Sequence, residues 1–371
     1  MGEQVLRARP RKAPADVVGS FLRPAWLLEA RDQFNAGDID RAHLTELEDR
    51  AVGELMDKLA SLGYAVATDG EYPRGWYHSD FLADLGGVKF TTYQMNLFGE
   101  ETTVGSTELE DTVTWNPAHP FLDQFARAKR AADARGLALK FDIPGSNMVL
   151  LDTITTDQPN HYGKDVERLA RDFVDVYRAA IRSFYEAGCR YLQLDDPVWV
   201  SVCDTGFRAK IEGAGYDVDH LKGLFFKTAQ AILADKPADM AITTHLCQGN
   251  MRSRKFYDAT YEAIAPTIFK LPFDGFFMEF DEEKLCDFSL LDSLQDQKVI
   301  LGIVSTQTGE LEDRAVLIDR VRRAAEHAPL SQLGVSTQCG FASTAEGNLI
   351  TPDQQWAKLA LLKDVECEIW G

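Results

Sequence analysis

Short runs of apolar, β-branched and aromatic residues alternate along the chain with longer amphipathic stretches. This alternation is typical of parallel strands joined by helical crossovers. Most of the short runs do not alternate apolar with polar positions, as expected for strands covered on both faces. We predict eight strands, at Asp16–Val18, Tyr64–Thr68, Leu137–Phe141, Tyr191–Leu194, Met240–Thr244, Gly275–Met278, Val299–Val304 and Leu333–Ser336. We predict helices at Leu44–Leu62, Val166–Ala187, His220–Ala234, Arg314–His327 and Pro352–Val365.

The chain contains no stretch rich in Pro, Gly or Ser that would separate two domains. We therefore predict a single catalytic domain over residues 1–371. Eight strands in one continuous unit indicate an α/β fold, a closed (β/α)8 TIM barrel, with an open doubly wound sheet as the alternative. Residues 86–117 interrupt the alternation and predict an inserted hairpin or a long βα loop within the barrel.

The 371-residue chain is acidic, with a formal net charge of −19. We expect neither nucleic acid nor an anionic membrane as a partner, because phosphate-binding surfaces need an excess of Lys and Arg. The sequence lacks an apolar run long enough to span a membrane, and its N-terminus lacks the apolar segment of a signal peptide, so we expect a cytoplasmic protein. The scattered cysteines favour metal binding or catalysis over a disulfide framework. Whether the chain forms a homo-oligomer stays open.

Polar or reactive residues follow nearly every predicted strand. In a closed barrel the carboxyl ends of the strands face one mouth, where enzymes of this fold keep their active sites. A purely structural chain has no reason for this placement. The residues concerned are Ser20, Asp69, Glu71, Asp142, Asp195, Asp196, His245, Cys247, Glu279, Ser305, Thr306, Gln307 and Cys339.

His245-Leu246-Cys247 is the sharpest local signal, because side chains two residues apart on a strand project to the same side. Glu279 and Cys339 follow neighbouring strands and can join them. One His with two Cys suits Zn²⁺ in tetrahedral geometry. A zinc-bound thiol loses its proton near neutral pH and stays nucleophilic, which indicates attack of a thiolate on an activated carbon. The alternative is that His245 and Cys247 are ordinary core residues.

The carboxylates at the strand ends offer a second kind of chemistry. Asp195 and Asp196 are adjacent and point in opposite directions on a strand, so at most one of them faces the barrel interior. Asp69 and Glu71 lie two residues apart and can both reach the mouth. Interior acids there can bind the ammonium group of an amino-acid thiol. The alternative is that they are structural partners of Arg74 or Arg23, or are solvated.

Seven segments, spread in order over almost the whole chain, share one resemblance. They are Val18-Gly19-Ser20-Phe21-Leu22-Arg23-Pro24, Thr68-Asp69-Gly70-Glu71, Tyr191-Leu192-Gln193-Leu194-Asp195-Asp196-Pro197, His245-Leu246-Cys247-Gln248-Gly249-Asn250, Asp274-Gly275-Phe276-Phe277-Met278-Glu279, Leu301-Gly302-Ile303-Val304 and Gln338-Cys339-Gly340-Phe341-Ala342-Ser343. The chain resembles the catalytic half of cobalamin-independent methionine synthase, and more closely the short, single-barrel homologues of that enzyme in bacteria.

The resemblance implies which residues form the site. The implied zinc ligands are His245, Cys247, Glu279 and Cys339. The residues implied to hold the amino-acid part of a homocysteine-like thiol are Ser20, Glu71 and Asp195, and we place Arg23 with them. The residues to which we assign catalytic roles are Glu71, Asp195 and Gln307. In the family, zinc activates the sulfur of homocysteine and a folate supplies the methyl group.

Three departures from the family pattern bear on the methyl donor. The sequence lacks the additional N-terminal barrel of the full-length enzyme, which contributes to folate binding. Gln307 stands where the family has a proton-shuttling His, and Gln cannot shuttle a proton at neutral pH. The segment from Ile143 to Asn147 lacks the expected folate-contacting aromatic residue. We therefore favour a more activated donor over methylfolate, with His78 as the alternative proton relay.

The leading hypothesis is a zinc-dependent thiol S-methyltransferase that forms methionine from homocysteine. The partners it needs are a small thiol and a methyl or alkyl donor. A second hypothesis is another zinc-thiolate alkyltransferase, such as an epoxide:coenzyme M transferase, whose thiol has no amino group. A third is a non-catalytic barrel that binds zinc or a ligand, which the complete set of four metal-ligand residues disfavours.

Overall fold

The computed structural model describes residues 15–97, 99–155, 160–345 and 347–371. Residues 1–14, part of the predicted single domain and the segment expected to lack a signal peptide, lie outside the described residues, and that domain prediction stays a prediction. The strands are β1 Val66–Ala67, β2 Gly86–Leu97, β3 Glu100–Thr114, β4 Ala138–Leu139, β5 Phe141–Pro144, β6 Tyr191–Asp195, β7 Ala241–Leu246, β8 Gly275–Glu279, β9 Lys298–Val304 and β10 Leu333–Thr337.

The helices of the described residues lie between and outside these strands. They are α1 Ala25–Ala36, α2 Arg41–Ser61, α3 Ser79–Ala83, α4 Pro120–Asp133, α5 Ser146–Thr155, α6 Val166–Glu186, α7 Val198–Ser201, α8 Thr205–Gly213, α9 Val218–Leu233, α10 Ala265–Ile268, α11 Arg314–Ala324 and α12 Pro352–Trp370. Short 3₁₀ turns occur at Glu283–Leu285, Phe288–Ser293 and Leu330–Gln332. The five predicted helices are all present and differ from the prediction only at their ends. No helix of the described residues is long and apolar enough to cross a membrane.

Apart from β2 and β3, which pair only with each other, the strands lie side by side in chain order. Strands β5 to β10 form a parallel sheet of six neighbours, and β4, which runs directly into β5, pairs in parallel with β1. The segment around Asp16 lies next to β10, since its backbone N–H donates to the carbonyl of Val335 at 3.0 Å. On its other side, Phe21 N donates to the carbonyl of Gly70, just beyond β1, at 3.1 Å. The predicted TIM barrel is confirmed.

The first predicted strand, Asp16–Val18, is only partly regular. Its backbone makes a single parallel bridge, from Ala15 to Val335. Two of its carbonyls point into the barrel, where Val17 O accepts from the Lys140 ammonium and Val18 O accepts from the Gln193 amide. These carbonyls are unavailable to a neighbouring strand, which explains why the strand ladder stops here.

Helix α6 illustrates how the outer layer forms from sequence. Asp165 caps it by accepting from the backbone N–H of Arg168, which satisfies one otherwise unpaired helix donor. Its apolar positions recur at helical spacing, and the buried face includes Leu169, Phe173 and Val176. This face packs into one continuous core with the barrel strands. Packing of the apolar face therefore supplies most of the stability of such a helix.

The interruption predicted at residues 86–117 is an antiparallel hairpin. Strands β2 and β3 pair along almost their whole length, with Thr91 opposite Ser106 as one example of the register. Gly87 has a φ of 78°, and a Cβ there would lie 2.4 Å from the Thr112 carbonyl, so the bulge at the hairpin base requires glycine. The hairpin extends over the carboxyl ends of the barrel strands and contributes to the cavity described next.

Candidate active site

A cavity of about 610 Å³ lies at the carboxyl ends of the barrel strands. This is the end at which TIM-barrel enzymes carry out their chemistry. Its wall brings together six of the nine predicted metal, substrate and catalytic residues, and His78 with them, although they lie far apart in the chain. Those residues are Ser20, Glu71, His78, Asp195, His245, Cys247 and Cys339.

Three buried side chains form what we call the thiol centre: His245, Cys247 and Cys339. His245 lies on β7, Cys247 follows that strand directly, and Cys339 follows β10. One ligand atom from each of the three lies within 4.8 Å of the others. The spacing of two residues between His245 and Cys247 thus acts as predicted, and β10 brings the second thiol beside the first.

The thiol centre fits a zinc ion chemically. Both ring nitrogens of His245 are buried and make no hydrogen bond to a nitrogen or oxygen atom of the described residues, and the ring interacts with the Cys339 thiol. Such atoms are costly unless something satisfies them. Contact with the Cys247 thiol, helped by the His245 ring, lowers the pKa of Cys339 well below its ordinary value. One thiolate, a second thiol and an imidazole are the donors that Zn²⁺ prefers in proteins.

Glu279, the predicted fourth ligand, ends β8 beside the thiol centre and is fully buried. Its Oε1 accepts from the backbone N–H of Gln248 at 3.2 Å and from Gln338 Nε2 at 3.4 Å. Its Oε2 is buried without a hydrogen-bond partner among the described residues. Burial raises the pKa of Glu279 well above its ordinary value. The carboxylate is not part of the 4.8 Å group, so its role as a ligand stays a prediction.

A polar network beside the thiol centre holds its loops, and of its members the sequence reasoning noted only Thr306, as a strand-end residue, and Glu279. The Thr306 hydroxyl donates to Gln338 Oε1 at 2.6 Å, and Asn250 Nδ2 donates to that hydroxyl at 2.8 Å and to the Gly340 carbonyl at 3.1 Å. Gln338 continues the network to Glu279. Asn250 and Gln338 lie inside the matching segments around Cys247 and Cys339, which was the signal available for finding them.

A second group, which we call the acidic cluster, consists of Glu71, Asp142 and Asp195. One carboxylate oxygen from each lies within 4.8 Å of the others. Asp142 was noted at a strand end but was not predicted as a site residue. Arg74 Nη1 donates to Asp142 at 2.5 Å, and its Nη2 donates to Asp69 at 3.1 Å. Asp69 is therefore a structural partner of Arg74, whereas Glu71 and Asp195 face the cavity.

The acidic cluster is electrostatically strained. Burial, followed by repulsion from Asp142, raises the pKa of Glu71 well above its ordinary value. The same two causes raise the pKa of Asp195 to about 7. Carboxylates raised in this way are stabilised in their ionised form by any cation that enters. The cluster therefore favours a positively charged group at this wall of the cavity.

The backbone at Glu71 is held in a strained conformation. Its φ is 58°, in the left-handed region that non-glycine residues seldom adopt. Two contacts stabilise it: Glu71 N donates to Asp69 Oδ1 at 2.9 Å, and the Glu71 carbonyl accepts from Arg23 Nη2 at 2.9 Å. A conformation of this kind costs about 1–3 kcal/mol and persists where the surroundings enforce it, which is common at functional sites.

Arg23 and Gln307 are placed differently from the other predicted site residues. The Arg23 guanidinium donates to four backbone carbonyls, those of Glu71, Arg74, Ala342 and Thr344, and the side chain is not part of the cavity wall. We therefore regard Arg23 as a residue that positions Glu71 rather than one that binds substrate. Gln307 is half-buried beyond β9 and is also absent from the wall.

The two remaining predictions concern Ser20 and Asp196. Ser20 lines the cavity, and its hydroxyl accepts from Ala342 N at 3.1 Å. A Cβ at Gly340 would lie 2.1 Å from that hydroxyl oxygen, so glycine allows the two loops to meet. Asp196 accepts from Asn147 Nδ2 at 2.7 Å and is not part of the cavity wall, which agrees with the expectation that only one of the adjacent acids faces the interior.

Much of the cavity wall is formed by aromatic side chains. The aromatic side chains that line it are Trp76, Tyr77, His78, Tyr93, Phe207, Phe256 and Tyr257. The His78 ring contacts Tyr77 edge-on with 4.9 Å between centroids. Burial lowers the pKa of His78 to about 4, so its imidazole is neutral at physiological pH. The aromatic side chains thus contribute a large part of the cavity wall, beside the residues of the two clusters.

Comparisons with known proteins agree with this geometry. The sequence profile of the family described as cobalamin-independent synthase, catalytic domain, matches residues 13–354. The uncharacterized protein YxjH of Bacillus subtilis (strain 168) is 36% identical, over 98% of this chain and 96% of its own length. A crystal structure from Listeria monocytogenes, provisionally described as a vitamin-B12-independent methionine synthase, is 33% identical with a TM-score of 0.77, over 97% of this chain and 99% of that one.

A more distant structure shows the same fold. The B12-independent methionine synthase of Shewanella sp. W3-18-1, solved in complex with selenomethionine, has a TM-score of 0.72 at 18% identity. The match covers 96% of this chain and 97% of that one. At this identity the likeness shows the barrel fold alone.

Proposed function

The chain belongs to the family of cobalamin-independent synthase catalytic domains, and we propose that it is a zinc-dependent S-methyltransferase that converts homocysteine into methionine. Family membership supports a methyltransferase reaction of the methionine synthase type. The observation that carries the proposal is that the thiol centre and the acidic cluster face one cavity. A substrate that spans them carries a thiol at one end and an amino group at the other.

His245, Cys247 and Cys339 would hold the zinc ion, with Glu279 as a fourth ligand that the substrate displaces. Zinc bound there supplies Lewis acidity that lowers the pKa of a thiol near neutral pH. In the transfer step, the substrate sulfur attacks the methyl carbon, a C–S bond forms, and the bond from carbon to donor breaks. The donor leaves with that electron pair, and the thiol proton is released to solvent.

Glu71 and Asp195 would bind the substrate ammonium group and so orient the sulfur toward the thiol centre. Holding a nucleophile in the correct position accounts for a large part of the rate enhancement in such reactions. The same carboxylates repel a thiol whose other end is a sulfonate. This repulsion is the physical reason to prefer homocysteine over coenzyme M as the thiol, and it disfavours the epoxide:coenzyme M alternative.

The donor is proposed to be one whose leaving group needs no protonation, such as a sulfonium or a corrinoid-bound methyl group. Gln307 lies away from the cavity, and His78, the histidine on the aromatic wall, is neutral at physiological pH. The aromatic part of the cavity wall favours a planar or a positively charged donor, because ring faces stack on planar groups and attract cations. Methylfolate with His78 as the proton relay is the alternative.

A donor panel with zinc-loaded protein tests the proposal. Homocysteine or coenzyme M is incubated with methylfolate mono- and polyglutamate, methylcobalamin, a sulfonium donor and an epoxide, and methylated products are identified by mass spectrometry. We expect methionine from homocysteine with at least one donor and little product from coenzyme M. Turnover of coenzyme M with the epoxide, and none of homocysteine, would establish the alternative.

A further inference from the structure

A lysine lies in the interior of the barrel beneath the cavity. Lys140, between β4 and β5, is completely buried. Its ammonium donates to the Val17 carbonyl and, at 2.8 Å, to Gln193 Oε1, and it lies 3.4 Å from Asp16 Oδ1. It also lies 3.9 Å from the centroid of the Phe277 ring. All three of its N–H donors therefore have partners. One of these partners, Gln193, also contacts Asp195 in the acidic cluster.

Lys140 determines which way round the Gln193 amide lies. The two ends of an amide have nearly the same shape, so hydrogen bonding decides its orientation. An ammonium group has donors only, so the amide oxygen must face it. The amide nitrogen then donates to the Val18 carbonyl at 2.9 Å and to Asp195 Oδ1 at 2.7 Å. The reverse orientation would oppose donor to donor at Lys140 and acceptor to acceptor at Asp195.

Gln193 in turn orients Asp195. Because Oδ1 is held by the amide, rotation of the carboxylate is restricted, and Oδ2 is the oxygen left for a ligand in the cavity. Lys140 thus donates to Gln193, and Gln193 donates to Asp195, a member of the acidic cluster. An apolar residue fills the interior of a barrel at lower cost than a buried ammonium, so these contacts need a reason beyond packing.

We propose that Lys140 and Gln193 are positioning residues that set the preference of this cavity for thiols carrying an amino group. The inference rests on the proposed function, because it assigns ammonium binding to Asp195. The orientation that Lys140 imposes and the charge of Lys140 have opposite effects on the affinity for a ligand ammonium group. A buried cation near the ligand ammonium weakens binding by simple repulsion, whereas the orientation that it enforces on Asp195 strengthens binding.

The experiment compares two ligands that differ only in the amino group, methionine and 4-(methylthio)butanoate. Dissociation constants are measured by calorimetry on zinc-loaded protein, and the ratio of the two constants is the readout. We expect Gln193→Met and Lys140→Met to reduce the preference for methionine by about ten-fold, the value of one charge-assisted hydrogen bond. Zinc content and thermal midpoint establish that each variant is folded.

Gln297→Met is the matched control. Gln297 is also a buried glutamine, and its amide donates to the Phe269 carbonyl at 3.0 Å, but it is not part of the cavity wall. The ratio should stay within about two-fold of wild type in this variant. Should Lys140→Met fail to fold, Gln193→Met decides the matter.

Two results would overturn the inference. In the first, the ratio stays at the wild-type value in folded Gln193→Met protein, whether or not both ligands lose affinity. In the second, Lys140→Met binds methionine more tightly, as charge repulsion alone predicts. A wild-type protein that does not prefer methionine would refute the amino-thiol specificity of the proposed function and this inference with it. A wild-type preference that survives in the variants refutes this inference alone.

Discussion

The thiol centre and the acidic cluster each bring three potential ligand atoms close together, but the atoms differ in their chemistry. In each, three ligand atoms lie within 4.8 Å of one another near the carboxyl ends of barrel strands. Two members of the acidic cluster already have partners in the protein. The Arg74 guanidinium donates to Asp142, and the Gln193 amide donates to Asp195. In the thiol centre, the His245 ring makes no hydrogen bond to a nitrogen or oxygen atom of the described residues, and its neighbours are the two thiols.

This difference supports the thiol centre as the proposed metal site. Distance alone would allow a cation at either place. The acidic cluster is already partly neutralised, so what it still attracts is one more weakly held positive group, such as an ammonium. The thiol centre offers one imidazole and two sulfur atoms, which are softer donors than carboxylate oxygens and suit Zn²⁺.

The largest expected effect comes from removing a thiolate of the thiol centre. Cys247→Ser and Cys339→Ser should each lose most of their zinc and about three or more decades of methyl transfer, because the thiol is no longer activated. Metal analysis together with the product assay measures both. Cys286→Ser is the control, since this buried thiol donates to the backbone carbonyls of Phe280 and Glu282 and is not part of the cavity wall. Full zinc content in both active-site variants would show that the site is misassigned.

A smaller effect is expected from the acidic cluster. Glu71→Gln should raise the dissociation constant for homocysteine by about one to two decades, because a charge-assisted hydrogen bond is weakened. Zinc content should be unchanged, which separates the two clusters. Glu366→Gln, a buried glutamate remote from the cavity, is the control. Homocysteine binding that is the same in Glu71→Gln and wild type would remove the argument for an amino-acid thiol.

The pH dependence of ligand binding should come from the acidic cluster. The pKa of Asp195 is raised to about 7, so the carboxyl is mostly protonated at pH 6 and mostly ionised at pH 8. Affinity for the methionine ammonium should therefore rise with pH, by about ten-fold between pH 6 and pH 8. Calorimetry at each pH measures this. Asp195→Asn should flatten the profile; a profile of unchanged slope in that variant would assign the titration to another group.

The smallest effects are expected at His78, which lines the cavity, and at Gln307, which does not. If the donor needs no protonation, His78→Gln and Gln307→Ala should each keep methyl transfer within about three-fold of wild type, since general-acid assistance is worth far more than that where it operates. Steady-state rates with the best donor of the panel measure this. Efficient turnover of methylfolate, abolished by His78→Gln but not by Gln307→Ala, would assign the proton relay to His78.

The sequence predicted the barrel and the members of the thiol centre because both follow from local pattern. A strand end is visible as an apolar run followed by polar residues, and the His245–Cys247 spacing fixes a common side. Each partner from another strand, such as Cys339, could be proposed only from its matching position. The hairpin at β2 and β3 was visible as a break in the alternation.

Other features could not be predicted because they depend on contacts between distant strands. Asp142 looks like any strand-end acid until Arg74 is placed beside it. Arg23 follows Ser20 closely in sequence, yet its guanidinium turns to backbone carbonyls of other loops. The orientation of Gln193 depends on Lys140, which is 53 residues away in the chain. Such pairings carry no local signal.

The central claim is that the substrate sulfur meets the zinc ion at the thiol centre. X-ray absorption at the zinc edge, with selenohomocysteine in place of homocysteine, tests it most directly because selenium is a strong scatterer. The account predicts sulfur and nitrogen neighbours for the free protein, with selenium joining them and one light-atom neighbour leaving when the ligand is added. A zinc environment that is the same with and without selenohomocysteine, under conditions where the ligand is bound, would contradict it.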